Sequence, residues 1–197
     1  MILGLTGQTG VGKSLVCSML REWQGVEIID CDIIARRVAQ KGNRCLVDLA
    51  VEFSPLIIDS DGNLNRKKLA GIVFTDKAKL KRLNEIMFPY ILEEVEKDIA
   101  IAQKKGAKVI VLDAPTLFES GADKLCDKIL VVTADDDVRL RRIMQRDKLT
   151  PIQAVNRMKS QHSEKFFKDH ADYIINNNGE KVELRLEVLE LLNKIGL

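Results

Sequence analysis

Histidine is nearly missing from this chain, with His162 and His170 the only two. The four cysteines, Cys17, Cys31, Cys45 and Cys126, are scattered without a C-x-x-C pair. A structural zinc site needs clustered Cys and His ligands, so these absences argue against one and make the cysteines read as reduced cytoplasmic thiols. An excess of charge of one sign is lacking too: 31 lysines and arginines face 29 aspartates and glutamates, for a formal net charge of +2. That balance leaves no basic footprint for nucleic acid, and no nucleic-acid partner is expected. Nor does any apolar run approach the ~20 residues of a membrane-spanning helix. The run at residues 1–5 has no basic segment before it and ends in GQTG rather than a cleavage site, so it reads as a buried strand. A soluble cytoplasmic protein with no membrane partner is the expectation.

What is present is ordinary in amount and informative in arrangement. A chain of 197 residues, 46% hydrophobic and 30% charged, is long enough to bury a core without disulfides. Apolar runs at residues 1–6, 108–113 (KVIVLD) and 128–133 (KILVVT) read as buried parallel strands, with weaker candidates at 26–30 (VEIID) and 173–176 (YIIN). Strands alternating with helical sequence predict a doubly wound α/β fold with ligands at the carboxyl ends of its strands. Residues 32–106 are helical in pattern and read as an inserted subdomain, within which Pro89 is expected to kink or break a long helix. A second insertion-like segment, 135–169, is rich in arginine and lysine, with Thr150-Pro151 a helix start. The core is then expected from 1–31, 107–134 and 170–197.

The densest signal is GQTGVGKS, residues 7–14, placed between a strand and a helix. Gly7-x4-Gly12-Lys13-Ser14 in that context is a phosphate-binding loop. Its glycines, Gly10 included, let backbone N–H groups turn toward phosphate oxygens, and the helix N-terminus adds its positive end. Lys13 is expected at the β- and γ-phosphates of ATP, with the Ser14 hydroxyl on Mg²⁺. Asp113, closing KVIVLD, is placed either to serve that metal or simply to cap a turn.

The loop by itself names no reaction. No NKxD element of the switch class occurs, and Asp59-x-x-Gly62 reads as a turn. A kinase needs a base for the accepting hydroxyl and cations around the transferred group. Asp30 and Asp32 stand at the carboxyl end of the second strand, where a carboxylate can accept a hydroxyl proton. Alternatively they form a turn, with Asp32 capping a helix over residues 33–40. Arg139, Arg141, Arg142 and Arg146 supply cations. Arg142 and Arg146 share a face if helical, and the run is either a lid that closes over ATP or a solvated face balanced by the aspartates at 135–137.

Taken in order, GLTGQTGVGKS, DCDIIAR, DGNLNRKKL, the proline at 89, DAPTLFE, the arginine run, Arg157-x-x-x-Gln161 and ADY through NNNG resemble the dephospho-coenzyme A kinase family over nearly the whole chain. The resemblance implies a phosphate-loop nucleotide kinase fold with a helical substrate-binding insert (32–106) and a lid (135–169). It implies transfer of the ATP γ-phosphate to the ribose 3′-hydroxyl of dephospho-coenzyme A. It makes Asp32 the base, brings Gly10, Val11, Gly12, Lys13, Ser14 and Leu15 to the ATP phosphates, and makes Arg142 and Arg146 the lid cations. Gln8 stands where that family usually has glycine, Phe88 where it has histidine, and Asn176 where aspartate is common. A kinase of another small hydroxyl compound, such as a nucleoside or nucleotide, and a nucleotide-binding module without catalysis are the rival readings.

Overall fold

Five short strands form one sheet in the computed structural model, which describes all 197 residues. The strands are β1 (Ile2–Thr6), β2 (Val26–Asp30), β3 (Val109–Asp113), β4 (Lys128–Thr133) and β5 (Tyr173–Asn176), in the order β2-β3-β1-β4-β5. β1 pairs in parallel with β3 and with β4, and β4 with β5. All five segments read as strands in the sequence are therefore strands. Near-continuous apolar runs are what a sheet covered on both faces requires. Leu3, Leu5, Val111, Leu112, Leu130 and Val131 are fully buried, each worth about 1.5–3 kcal/mol of transfer out of water.

Ten helices connect and cover these strands. They are α1 (Lys13–Arg21), α2 (Cys31–Val38), α3 (Arg44–Phe53), α4 (Arg66–Val73), α5 (Lys77–Lys104), α6 (Leu117–Ser120), α7 (Asp136–Asp147), α8 (Pro151–Lys159), α9 (Glu164–Asp169) and α10 (Lys181–Lys194). None is long and apolar enough to cross a membrane. The chain divides into two compact units, Met1–Ile29 with Ala102–Leu197, and Asp30–Ile101.

In the first unit Val16, Cys17, Met19 and Leu20 of α1 and Leu184, Val188, Leu191 and Leu192 of α10 pack into one core with the strand residues. β1 is central, and its neighbours β3 and β4 lie on opposite sides. The loop leaving its carboxyl end therefore emerges where the strand order reverses, the position at which this architecture binds ligands. The segment 135–169 is compact with this unit. It carries α7, α8 and α9; Thr150-Pro151 starts α8 as its sequence predicts, and Thr150 caps it in a capping box with Gln153.

The second unit is helical. Two points that the sequence leaves open are decided there. Asp30, not Asp32, is the cap of α2: its carboxylate accepts the Ile33 N–H at 3.0 Å, and the helix starts at Cys31. An extended residue ending a strand has the N-cap backbone, which Asp32, already in the first turn, does not. Pro89 neither breaks α5 nor ends it, since the helix runs from Lys77 to Lys104 with Pro89 inside. The buried stripe Ile91, Val95 and Ile99 continues past the proline at helical spacing, and that burial outweighs one lost backbone bond. Residues 59–62 do form a turn, closed by the Asp59 carboxylate on the N–H groups of Asp61 and Asn63.

Candidate active site

The phosphate loop is built by positive-φ glycines. Gly10 (φ 84) and Gly12 (φ 89) sit in the left-handed region, where a side chain would be strained. There is no room for one either: a Cβ on Gly10 would meet the Arg139 carbonyl, and one on Gly12 the Asn177 amide. Gly12 is the N-cap of α1, and no side chain caps that helix. The N–H groups of Lys13 and Ser14 thus open α1 with no intrahelical partner, which makes a donor site for anions.

Lys13 Nζ is paired with the Asp113 carboxylate, and the two side chains are 14% and 11% exposed. β3 ends on Asp113 beside Leu5 of β1, so adjacent parallel strands carry the carboxylate and the loop to the same sheet edge. The sequence names both residues but not their pairing. Beneath them lies Cys17, whose thiol is pushed up to about 12, first by burial and then by the charge and hydrogen bond of Asp113.

The arginines divide into two sets. Arg141 is solvated and pairs with Asp137, as the solvated-face alternative has it. Arg139, Arg142 and Arg146 turn toward the loop. Arg142 Nη1 donates to the Asn177 carbonyl at 2.9 Å and to the Val11 carbonyl at 3.4 Å. Arg146 Nη2 reaches the Thr9 hydroxyl at 3.5 Å, while its Nε and Nη2 grip both oxygens of Asp147. That carboxylate is held below its ordinary range, chiefly by Arg146. Arg139 is only 2% exposed. Its Nε donates to the Thr9 carbonyl at 3.1 Å and its Nη1 to Asp136. Burial lowers its pKa and Asp136 opposes that shift.

Several contributors are invisible to motif reading. The buried Asn177 donates its side-chain N–H to the Val11 carbonyl at 2.7 Å. It belongs to the NNNG that ends β5, where a polar triplet otherwise signals only a turn. Gln161 accepts the Thr9 N–H at 2.7 Å, although its motif carries no role by itself. Asp147 bridges Arg146 and Arg157. Asp32, in the first turn of α2, belongs to the other unit. Its place two residues beyond the end of β2 is set by the chain.

The donors here are hard oxygens, the Ser14 hydroxyl and the Asp113 carboxylate, with no cluster of three or more His, Cys, Asp or Glu that could cage a metal. That fits Mg²⁺, which is held through one or two protein oxygens and takes its other ligands from phosphates and water. The loop, the bare α1 terminus and the lysine fit a nucleotide polyphosphate.

Comparison with known proteins agrees with this chemistry. A family model described as dephospho-CoA kinase matches residues 1–183. The chain belongs to the dephospho-CoA kinase family. It is 38% identical over 194 residues to a dephospho-CoA kinase of Geobacillus kaustophilus, covering 98% of this chain and 96% of that protein. To one of Fusobacterium nucleatum it is 42% identical over 184 residues, covering 93% of each. The solved dephospho-CoA kinase of Campylobacter jejuni superposes with a TM-score of 0.74 at 28% identity, over 98% of this chain and 96% of that one. The family uses a nucleotide on a phosphate-loop kinase fold.

Proposed function

We propose that this protein transfers the γ-phosphoryl group of ATP to the ribose 3′-hydroxyl of dephospho-coenzyme A, giving coenzyme A and ADP, the last step in making that cofactor. The observation that carries the reading is the Lys13–Asp113 pair at the bare N-terminus of α1, within a chain of this family.

In this reading the N–H groups of residues 10–15 hold the phosphates, and Lys13 spans the β- and γ-phosphates. Ser14 and Asp113 are the oxygens that would hold Mg²⁺, which supplies charge neutralisation to the phosphate oxygens. Arg142 and Arg146 bring guanidinium charge to the transferring group from the segment proposed as a lid, 135–169. Asp32 orients the accepting hydroxyl and takes its proton, while the helical residues 32–106 receive the acceptor. A cytoplasmic setting suits the balanced charge of the chain.

The test is an assay of the purified protein with ATP, Mg²⁺ and dephospho-coenzyme A, read by mass. The expected product is heavier by one phosphoryl group and appears only with all three components. A panel of nucleosides, nucleotides and small sugars runs alongside. Turnover of any of these above dephospho-coenzyme A would overturn the reading.

A further inference from the structure

The crest of the phosphate loop is held from outside at several points. Thr9 lies between Gln8 and Gly10, and Gly7 and Gly10 have φ values of 151 and 84. Glycine leaves the peptides around Thr9 free to reorient, and fixing such backbone costs about 1–2 kcal/mol per residue. All three polar groups of Thr9 are nevertheless engaged by residues far along the chain. Its N–H donates to Gln161 Oε1 at 2.7 Å, its carbonyl accepts Arg139 Nε at 3.1 Å, and its hydroxyl accepts Arg146 Nη2 at 3.5 Å. The neighbouring pair reciprocates, with Gln8 Nε2 donating to the His162 carbonyl at 2.9 Å. Two consecutive loop residues thus exchange side-chain-to-backbone bonds with two consecutive residues of the α8–α9 connection.

We infer that Gln161 and Arg139 are positioning residues for phosphoryl transfer, acting through Thr9 to hold the crest of the loop in one conformation; the inference rests on the kinase reading above. Gln161 takes up the Thr9 N–H and Arg139 the Thr9 carbonyl, so both peptides flanking Thr9 are fixed, and with them the direction of the Gly10 N–H. Charge that develops on a transferring phosphoryl group is stabilised best by donors that need not reorganise. A bond from a buried guanidinium to a carbonyl is among the stronger ways to secure such a loop. The donors at Lys13 and Ser14 are fixed by α1 itself and do not depend on Thr9. Ground-state nucleotide binding therefore rests mainly on the helix, and the transition state on the crest. Gln8 adds a second tie at the same place.

The experiment measures the Thr9 amide and the reaction separately. In the parent, amide exchange followed by NMR should show Thr9 protected at least about tenfold relative to an unstructured amide. Gln161→Met keeps the length and removes the acceptor. It should release that protection, lower kcat about 10- to 100-fold and leave the ATP Kd within about threefold, the split expected of an interaction made in the transition state. Arg139→Met combined with Gln161→Met should cost less than the product of the two single effects, because both hold one peptide segment. An unprotected Thr9 amide in the parent overturns the inference even if neither variant folds. So does a Gln161→Met variant that releases the amide yet keeps the parent kcat, or one that loses ATP affinity as much as kcat. A parent that fails to phosphorylate dephospho-coenzyme A but shows the protected amide sinks the functional reading instead, and the exchange arm still decides the loop.

Discussion

Replacing Lys13 by methionine tests the site at its most charged point, and the structure separates two consequences. The first is catalytic. Removing one fixed charge from developing phosphoryl charge costs about 10²- to 10³-fold in kcat, by analogy with the loss of a single preorganised donor, or roughly 2.7–4 kcal/mol. The second is structural. Asp113, with a side chain only 11% exposed, loses its counter-charge, and breaking a buried pair from one side costs about 3–5 kcal/mol. Because both side chains keep some contact with water, about 3 kcal/mol is the expected loss, a fall of roughly 6–12 °C in Tm for a chain of this size. The double variant Lys13→Met with Asp113→Asn removes the orphan charge. It should recover most of the Tm and none of the activity. The assays are steady-state turnover of dephospho-coenzyme A and thermal melting of parent, single and double variants. A Lys13→Met enzyme within about tenfold of parent kcat, one 1.4 kcal/mol step, would refute the role given to the lysine. A double variant no more stable than the single would refute the view that the pair shields a buried charge.

Three further outcomes follow from particular contacts. Arg142→Ala should lower kcat at least about 10²-fold, while Arg141→Ala, whose partner is the exposed Asp137, should leave it unchanged; equal effects in steady-state kinetics would mean the run acts only as general positive charge. Asp32→Asn should bind ATP normally, by calorimetry, yet transfer phosphate roughly 10²-fold more slowly, whereas Asp30→Asn should stay active because asparagine caps a helix as well as aspartate; the reverse result would exchange their roles. Burial and Asp113 push the Cys17 thiol up from its ordinary 9.0 to about 12 in the folded protein, so between these values the unfolded chain releases a proton that the folded one keeps. Stability should therefore fall as pH rises above about 9, and Cys17→Ala should flatten that decline in denaturant titrations; an unchanged slope would place the thiol in a less buried setting.

Much of this protein is legible along the chain because it depends on neighbours in sequence. Strand runs such as KVIVLD and KILVVT declare burial on both faces by composition. Gly7-x4-Gly12-Lys13-Ser14 declares a phosphate loop because its chemistry is packed into eight consecutive positions. Thr150-Pro151 announces a helix start because a cap and its first turn are local. The capping of α2 was ambiguous for the same reason: two aspartates flanking Cys31 offer alternative caps, and only the backbone shows that Asp30 is extended and Asp32 helical. Pro89 shows the limit in the other direction, since its local penalty is overridden by the buried stripe of a long helix.

What the tertiary structure alone decided is where long polar side chains go. The arginine run reads identically at 139, 141, 142 and 146, yet Arg141 faces water while its neighbours reach Thr9 and Val11. Their direction depends on where α7 lies beside a loop some 130 residues earlier. The same holds for Gln161 and Asn177, ordinary polar residues whose partners on the loop lie 152 and 166 positions away. Hydrogen bonds are short and directional, so a residue type sets only the capacity to donate or accept. The sheet order β2-β3-β1-β4-β5 then determines which backbone groups come within reach.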